Sequence, residues 1–263
     1  MIRYYLFELL RFTVRIIPVP AAYGLAAVIA DISYLFSRRS KKNYQSNVRQ
    51  VFRYRGEDPN RPENRKEIRD LTRLNFRNFS YYLVDFFRFS RFELPHLQSL
   101  VDIRGTDNLK KALQKGKGAI GVTAHLGNWE LGGMVLASLG YPVHAIALSH
   151  QNTKINRLFV NQRALSGMTV IPVGQAVLKS LRALKKNELV VILGDRDVTE
   201  RGMRVDFFGK PAHIPRGPAA LAVRAGAEIF FGYFLRNSFD RYLTVLRPAI
   251  GIDRSRPREE QEM

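Results

Sequence analysis

The 263-residue sequence contains no cysteine. Disulfides, cysteine nucleophiles and thiolate metal sites are therefore excluded, and the absence suits a reducing compartment. Acidic residues are scarce: 23 Asp and Glu stand against 42 Lys and Arg, a formal net charge of +19. So basic a chain seeks an anionic partner, for which nucleic acid, anionic lipid and an acidic carrier protein are the candidates. Lysine is much the rarer cation, and arginine suits bidentate contacts to phosphate. Long uninterrupted apolar runs are also missing. Neither N-terminal run reaches the roughly 20 charge-poor residues of a membrane span. No small-residue cleavage site follows a compact apolar core, which speaks against a signal peptide.

Two apolar stretches are nevertheless present. Residues 2–17 intersperse Arg3, Glu8, Arg11 and Arg15 among Tyr, Leu, Phe and Ile; Pro18 and Pro20 break the pattern; a second run spans 21–36 and is interrupted by Asp31. This predicts two amphipathic helices, at least one lying in a membrane interface; the alternative is that they cap the protein's own core. Residues 38–55 carry seven basic residues and no acidic one. Beside membrane-seeking helices, Arg38, Arg39, Lys41, Lys42 and Arg49 are expected to meet anionic headgroups or a carrier protein; a solvated helix face is the alternative. A polar break at 57–64 precedes a predicted helix from 65 to 89, rich in aromatics that form core or line an acyl groove.

From residue 101 short apolar runs alternate with helical patterns, the signature of an α/β sheet. Strands are predicted at 101–104, 119–123, 143–148, 169–172, 189–193, 228–235 and 242–246, and helices at 108–115, 128–139, 153–166, 176–185 and 216–225. The implied organisation is 1–37 membrane-associated helices, 38–100 a basic helical region, 101–252 the α/β core, and 253–263 a charged, disordered tail. A closing helix is expected where that tail stops, so the chain is read as a possible truncation.

Three segments hold candidate chemistry. An apolar strand from Ala119 runs into His125, and a Gly-Asn break leads to a helix bearing Glu130. The carboxyl end of a strand is where open α/β sheets bind ligands. Glu130, about one turn into the helix, is expected to curl back to the imidazole, fix its tautomer and leave the other ring nitrogen as a base. A structural histidine capping the strand is the competing reading. With no cysteine and no Gly-x-Ser-x-Gly elbow, direct transfer is favoured over a covalent acyl-enzyme. The run 190–197 likewise ends a strand in Asp195, Arg196 and Asp197. Arg196 is a candidate to hold a phosphate or a thioester oxyanion, and a salt-bridge cluster is the alternative. Residues 205–218 read as a rigid loop set by Gly209, Pro211, Pro215 and Gly217, with Phe207 and Phe208 walling an acyl pocket or anchoring the loop. Arg216 falls near a helix start that favours anions.

In order, Lys42-Asn43-Tyr44, Gly105 to Leu109, His125-Leu-Gly-Asn-Trp-Glu130, Gly194-Asp-Arg-Asp197 and Phe207-Phe-Gly-Lys-Pro211 resemble the bacterial lipid A biosynthesis acyltransferase family, a branch of the lysophospholipid acyltransferase superfamily. The resemblance implies a mixed central sheet flanked by helices, with membrane-associated N-terminal helices. It implies a His-x4-acidic pair on His125 and Glu130, and substrate contacts from Asn128, Arg163, Asp195, Arg196, Asp197, Phe208, Gly209 and Arg216. It further implies an acyl carrier protein or acyl-CoA donor, a glycolipid acceptor such as a lipid A precursor, no cofactor or metal, and a place on the cytoplasmic face of the inner membrane. A sister branch, the actinobacterial phosphatidylinositol mannoside acyltransferases, shares the Asp-Arg-Asp and Phe-Phe-Gly blocks; the lipid A-type branch is the preferred reading.

Other classes fit less well. Net charge alone supports a nucleic-acid binder, but no recognition motif accompanies it. Gly116, Gly118 and Gly121 match a dinucleotide pattern, yet they enter a strand where the fingerprint requires a strand-to-helix turn. His125, His144, His150 and His213 match no common metal-ligand spacing.

Overall fold

The computed structural model describes residues 1–89, 94–198, 202–238 and 240–252; the expected tail at 253–263 lies outside them. It is a mixed α/β protein with two compact units, Met1–Arg88 with Val205–Ala212, and Phe89–Arg204 with His213–Met263.

The first unit is built on helices α1 (Ile2–Ile16), α2 (Val19–Phe36), α3 (Arg38–Tyr54) and α4 (Pro62–Phe89). Pro18 and Pro20 separate α1 from α2 because proline fits a first helical turn and not an interior. Ala22, Ala26 and Ala30, one helical turn apart, form the buried stripe of α2. Tyr23 donates to the buried Asp85 of α4, and accepts from Arg88 at 3.2 Å. Asp31 does not merely interrupt the run. It accepts hydrogen bonds from Arg73 at 2.8 and 2.7 Å and from Arg77 at 3.0 and 2.6 Å. The Arg73 and then the Arg77 guanidinium hold its carboxyl well below the usual carboxylate range. α2 is 18 residues long and apolar enough, by length and composition, to cross a membrane.

The stretch read as a rigid loop at 205–218 is instead a hairpin of β6 (Met203–Phe207) and β7 (Lys210–Ile214). Phe208 and Gly209 make the turn with φ of 54° and 69°, the double positive-φ geometry that twists with its strands. Asp206 Oδ1 accepts from the Gly209 N–H at 2.9 Å. The hairpin was hard to read because a bulky Phe occupies a position where Asn, Asp or Gly is usual, and Pro211 lies in a strand that only an edge tolerates. At its tip Phe208 rests edge-on against Tyr54 of α3, 5.5 Å between centroids, and its carbonyl accepts from Gln50 at 2.8 Å.

The second unit holds a seven-stranded sheet in the order β1-β9-β8-β2-β5-β3-β4. Its strands are β1 (Val101–Arg104), β2 (Ala119–Thr123), β3 (Val143–Ala147), β4 (Met168–Pro172), β5 (Leu189–Leu193), β8 (Glu228–Ser238) and β9 (Arg241–Leu246). From β8 to β4 the strands are parallel; β9 turns antiparallel to β8, and β1 follows it. Helices α5 (Leu94–Leu100), α6 (Thr106–Gln114), α7 (Trp129–Ser138), α8 (Thr153–Leu165), α9 (Ala176–Lys185) and α10 (Gly217–Ala225) complete the unit.

One face of the sheet packs Ile120 and Val190 against Leu184 of α9 and Leu221 of α10. Side chains alternate along a strand, so Phe230 and Phe234 of β8 point to the other face, where α7 lies. A Cβ on Gly132 would sit 2.3 Å from the Phe234 ring. That glycine lets α7 approach the sheet closely enough to fix its first turn beside the strand ends. α5 and the hairpin are the elements not expected from sequence.

Candidate active site

β2 and β5 are neighbouring parallel strands with Thr123 opposite Leu193. Two residues past each strand end stand His125 and Asp195, and the Gly194 N–H donates to Thr123 O at 2.8 Å to extend the ladder between them. The register therefore delivers the imidazole and the carboxylate side by side on the carboxyl edge of the sheet. Asp195 Oδ2 accepts from the His125 backbone N–H at 3.0 Å. His125 Nδ1 lies 2.9 Å from Oδ1 and 3.2 Å from Oδ2 of the same carboxylate. The ring also packs edge-on against Trp129, 4.8 Å between centroids.

A carboxylate at Nδ1 keeps the proton on that nitrogen and leaves the Nε2 lone pair outward. Among the described residues Nε2 has no hydrogen-bond partner, and the side chain is 34% exposed. The geometry thus offers a basic ring nitrogen to solvent at the strand edge.

The loop between His125 and α7 is pinned to β8. Gly127 has φ 63°, and a Cβ there would meet Phe234 O at 1.9 Å. The Asn128 N–H donates to that same carbonyl at 2.8 Å. Asn128 itself is buried, and its Oδ1 caps α7 by accepting from the Leu131 N–H at 3.1 Å. That cap gives it a positioning task where a substrate contact was expected.

Glu130 does not curl back to His125. It is buried in α7, and Arg163 of α8 grips its carboxylate in a fork, Nε to Oε2 at 2.9 Å and Nη2 to Oε1 at 2.5 Å. The expected orienting role at Nδ1 is filled by Asp195. The reason is geometric: a side chain on the first turn of a helix that lies flat against the sheet points into the α7–α8 contact, whereas a residue on the paired strand arrives level with the imidazole. Arg163, expected to touch substrate, is thereby tied to Glu130, and it also lies 6.0 Å from the Phe159 ring centre. His150 packs against that ring at 4.7 Å. Burial, and then the nearby Arg163 charge, pull its pKa below the ordinary histidine value.

Beyond Asp195, Arg196 is exposed with no partner among the described residues. Asp197 Oδ2 accepts from the Gly202 N–H at 2.6 Å. Arg216 is the N-cap residue of α10. In a βαβ unit such a helix runs back across the sheet, so its first turn faces the edge that carries His125. Phe208 and Gly209, also expected at the substrate, form the hairpin tip, which belongs to the first unit. Of the other histidines, His144 meets Glu188 at 2.7 Å. Among the described residues no three His, Asp or Glu side chains gather to hold a metal.

The chain matches the family of bacterial lipid A biosynthesis acyltransferases over residues 1–257. It belongs to that family. Among its relatives, the phosphatidylinositol mannoside acyltransferase of Mycolicibacterium smegmatis is 30% identical over 165 residues, 61% of this chain and 54% of that protein. The protein of the same description from Mycobacterium tuberculosis is 34% identical over 131 residues, 48% of this chain and 42% of that one. The lipid A biosynthesis palmitoleoyltransferase of Escherichia coli is 27% identical over 188 residues, 71% of this chain and 58% of that one. The chain thus spans about half the length of the curated relatives it matches. For this lipid A acyltransferase family member, the strand-end histidine has a carboxylate partner, and that partner comes from the paired strand and not from the His-x4-acidic spacing.

Proposed function

We propose that this chain carries an acyltransferase activity that moves a fatty acyl group from a thioester to a hydroxyl of a glycolipid. The observation that carries the reading is the pairing of His125 Nδ1 with Asp195, which leaves Nε2 as a solvent-facing base. In the proposed step Nε2 takes the hydroxyl proton as the oxygen attacks the thioester carbonyl, and the C–O bond forms. The resulting imidazolium is stabilised by Asp195. Collapse of the tetrahedral intermediate breaks the C–S bond, and the proton passes from Nε2 to the departing sulfur. Arg196 is suited to the oxyanion or to a phosphate of either substrate; Asp197 and Arg216 border the same edge.

The donor is an acyl carrier protein or coenzyme A thioester. For the acceptor, the family match favours a lipid A precursor; a mannosylated phosphatidylinositol is the second reading, favoured by the 30% and 34% identities to enzymes of that description. The work place is the cytoplasmic face of the inner membrane. What supports the membrane part of this reading is the apolar face left open on the first two helices: Leu6, Leu9 and Phe12 on α1, and Leu25, Ile29 and Phe36 on α2, are each at least 44% exposed. Such a face gains free energy by entering a membrane interface.

The test is to incubate the purified chain with labelled acyl carrier protein thioester or acyl-CoA and each glycolipid in mixed micelles, followed by mass spectrometry. A glycolipid heavier by one acyl group, formed as thioester is consumed, supports the reading. Failure with both donors and both acceptors overturns it.

A further inference from the structure

A cleft lies on α3, inside the helical unit. It is an open groove of about 520 Å³ lined by Tyr34, Arg38, Lys41, Lys42, Arg49 and Arg53. The remaining lining residues, Gln45 and Ser46, are neutral, so no carboxylate faces the void. Positions 38, 42, 46, 49 and 53 follow one another at helical spacing, which places them on one face of α3.

Two of the five cations are held in place by neutral groups. Lys41 Nζ donates to Leu35 O at 3.2 Å and lies 4.9 Å over the Tyr34 ring. Arg49 Nη1 donates to Pro59 O and to Asn60 Oδ1, both at 3.3 Å. None of the five has a carboxylate partner among the described residues. Asp31, the closest acid in the preceding helix, is already taken by Arg73 and Arg77. Like charges converging on a void without a counter-charge repel one another, and a multidentate oxyanion relieves that repulsion. At the same end of α2, Leu35 and Phe36 are 64% and 80% exposed. A ligand seated here finds cations for its head and an apolar edge for its tails.

We propose that this cleft is a socket for the phosphate of an anionic membrane phospholipid, which serves as a bound anchor and not as a substrate. The proposal rests on the membrane reading above and adds a site and a ligand chemistry to it. An open groove of about 520 Å³ lined by five cations has room for one phosphate headgroup, and the exposed Leu35 and Phe36 beside it suit the acyl tails of a lipid.

The experiment is co-sedimentation of the full chain with phosphatidylcholine vesicles doped with phosphatidylglycerol, or with oleate at matched surface potential. Three proteins are compared: wild type, Lys42→Gln with Arg53→Gln in the cleft, and Arg65→Gln with Lys66→Gln, an equal charge change on exposed α4 residues. Wild type and the α4 pair are expected to prefer the phosphatidylglycerol vesicles, whose phosphate carries the net charge, by about fivefold or more, and the cleft pair to lose that preference, since screened charge alone treats both pairs and both dopants alike. Equal affinity of wild type for the two lipids, or a preference intact in the cleft pair, overturns the socket. So does a cleft pair that keeps the preference but loses acyl carrier protein binding by calorimetry, or shows a raised KM for the acceptor; those outcomes assign the cleft to the carrier or to the acceptor's own phosphate. Failure of wild type to bind any vesicle overturns the membrane reading itself.

Discussion

Asp195 holds His125 at two points, the backbone N–H at 3.0 Å and the ring Nδ1 at 2.9 Å. One carboxylate therefore fixes both where the loop after β2 leaves the sheet and which ring nitrogen carries the proton.

Replacing His125 with Ala is expected to lower kcat by about 10²- to 10⁴-fold, the span of general-base contributions, with melting temperature and vesicle binding unchanged. Asp195→Asn keeps the volume but offers an amide donor to Nδ1, so the tautomer with an outward N–H becomes favoured and kcat falls while KM holds. Steady-state kinetics with the thioester donor check both; undiminished turnover in His125→Ala removes the base role.

Glu130 and Arg163 act on the fold before they act on chemistry. Their side chains are 7% and 13% exposed, and stranding one member of a buried pair costs about 3–5 kcal/mol. Glu130→Gln is expected to lower the melting temperature clearly, and Glu130→Gln with Arg163→Met to recover most of the loss. Arg163→Met is also expected to raise the His150 pKa, because a nearby positive charge is removed while burial continues to pull it down; ring-proton NMR reads this directly. If the double variant is stable yet inactive, Glu130 and Arg163 have a part in the reaction as well.

The Asp31 cluster gives a pH dependence with a definite sign. Its folded pKa is depressed by Arg73 first and Arg77 second. The stabilisation is therefore complete above the unfolded carboxylate value of about 3.9, and is lost progressively as pH falls from there toward the folded pKa. The difference in melting temperature between wild type and Asp31→Asn should be largest near neutrality and shrink below about pH 4. A difference that grows on acidification contradicts this.

Gly127→Ala should displace the loop that carries His125. The new Cβ would lie 1.9 Å from Phe234 O at a φ of 63°, a combination of clash and left-handed backbone costing of the order of 1–3 kcal/mol. Amide exchange is expected to rise at 125–128, and kcat to fall even where the protein stays folded. Unaltered exchange would show that β8 does not pin the loop.

Leu25→Ser with Ile29→Ser removes apolar surface from the open face of α2 without touching its buried stripe. Each side chain that enters lipid is worth about 1.5–3 kcal/mol. Vesicle affinity should drop by at least tenfold at constant melting temperature, and unchanged affinity would mean that α2 does not enter the bilayer.

Much of this protein was written locally. The alternation of apolar runs and helical periods marked β2 and β5 to the residue, because strand burial imposes continuous apolar stretches whatever the topology. Histidine at a strand's carboxyl end, the basic face of α3 and the proline break between α1 and α2 were equally legible, each resting on neighbours within a few turns. Local reading failed at the β6–β7 hairpin, where Phe208 in a positive-φ turn disguised strand as loop. Tertiary structure alone decided which carboxylate serves His125. Glu130 is five residues away and Asp195 seventy, yet side-by-side strands share a register, and helix packing turns Glu130 toward Arg163. Spacing along the chain sets what a residue can reach through its own helix; pairing between distant strands sets what it meets.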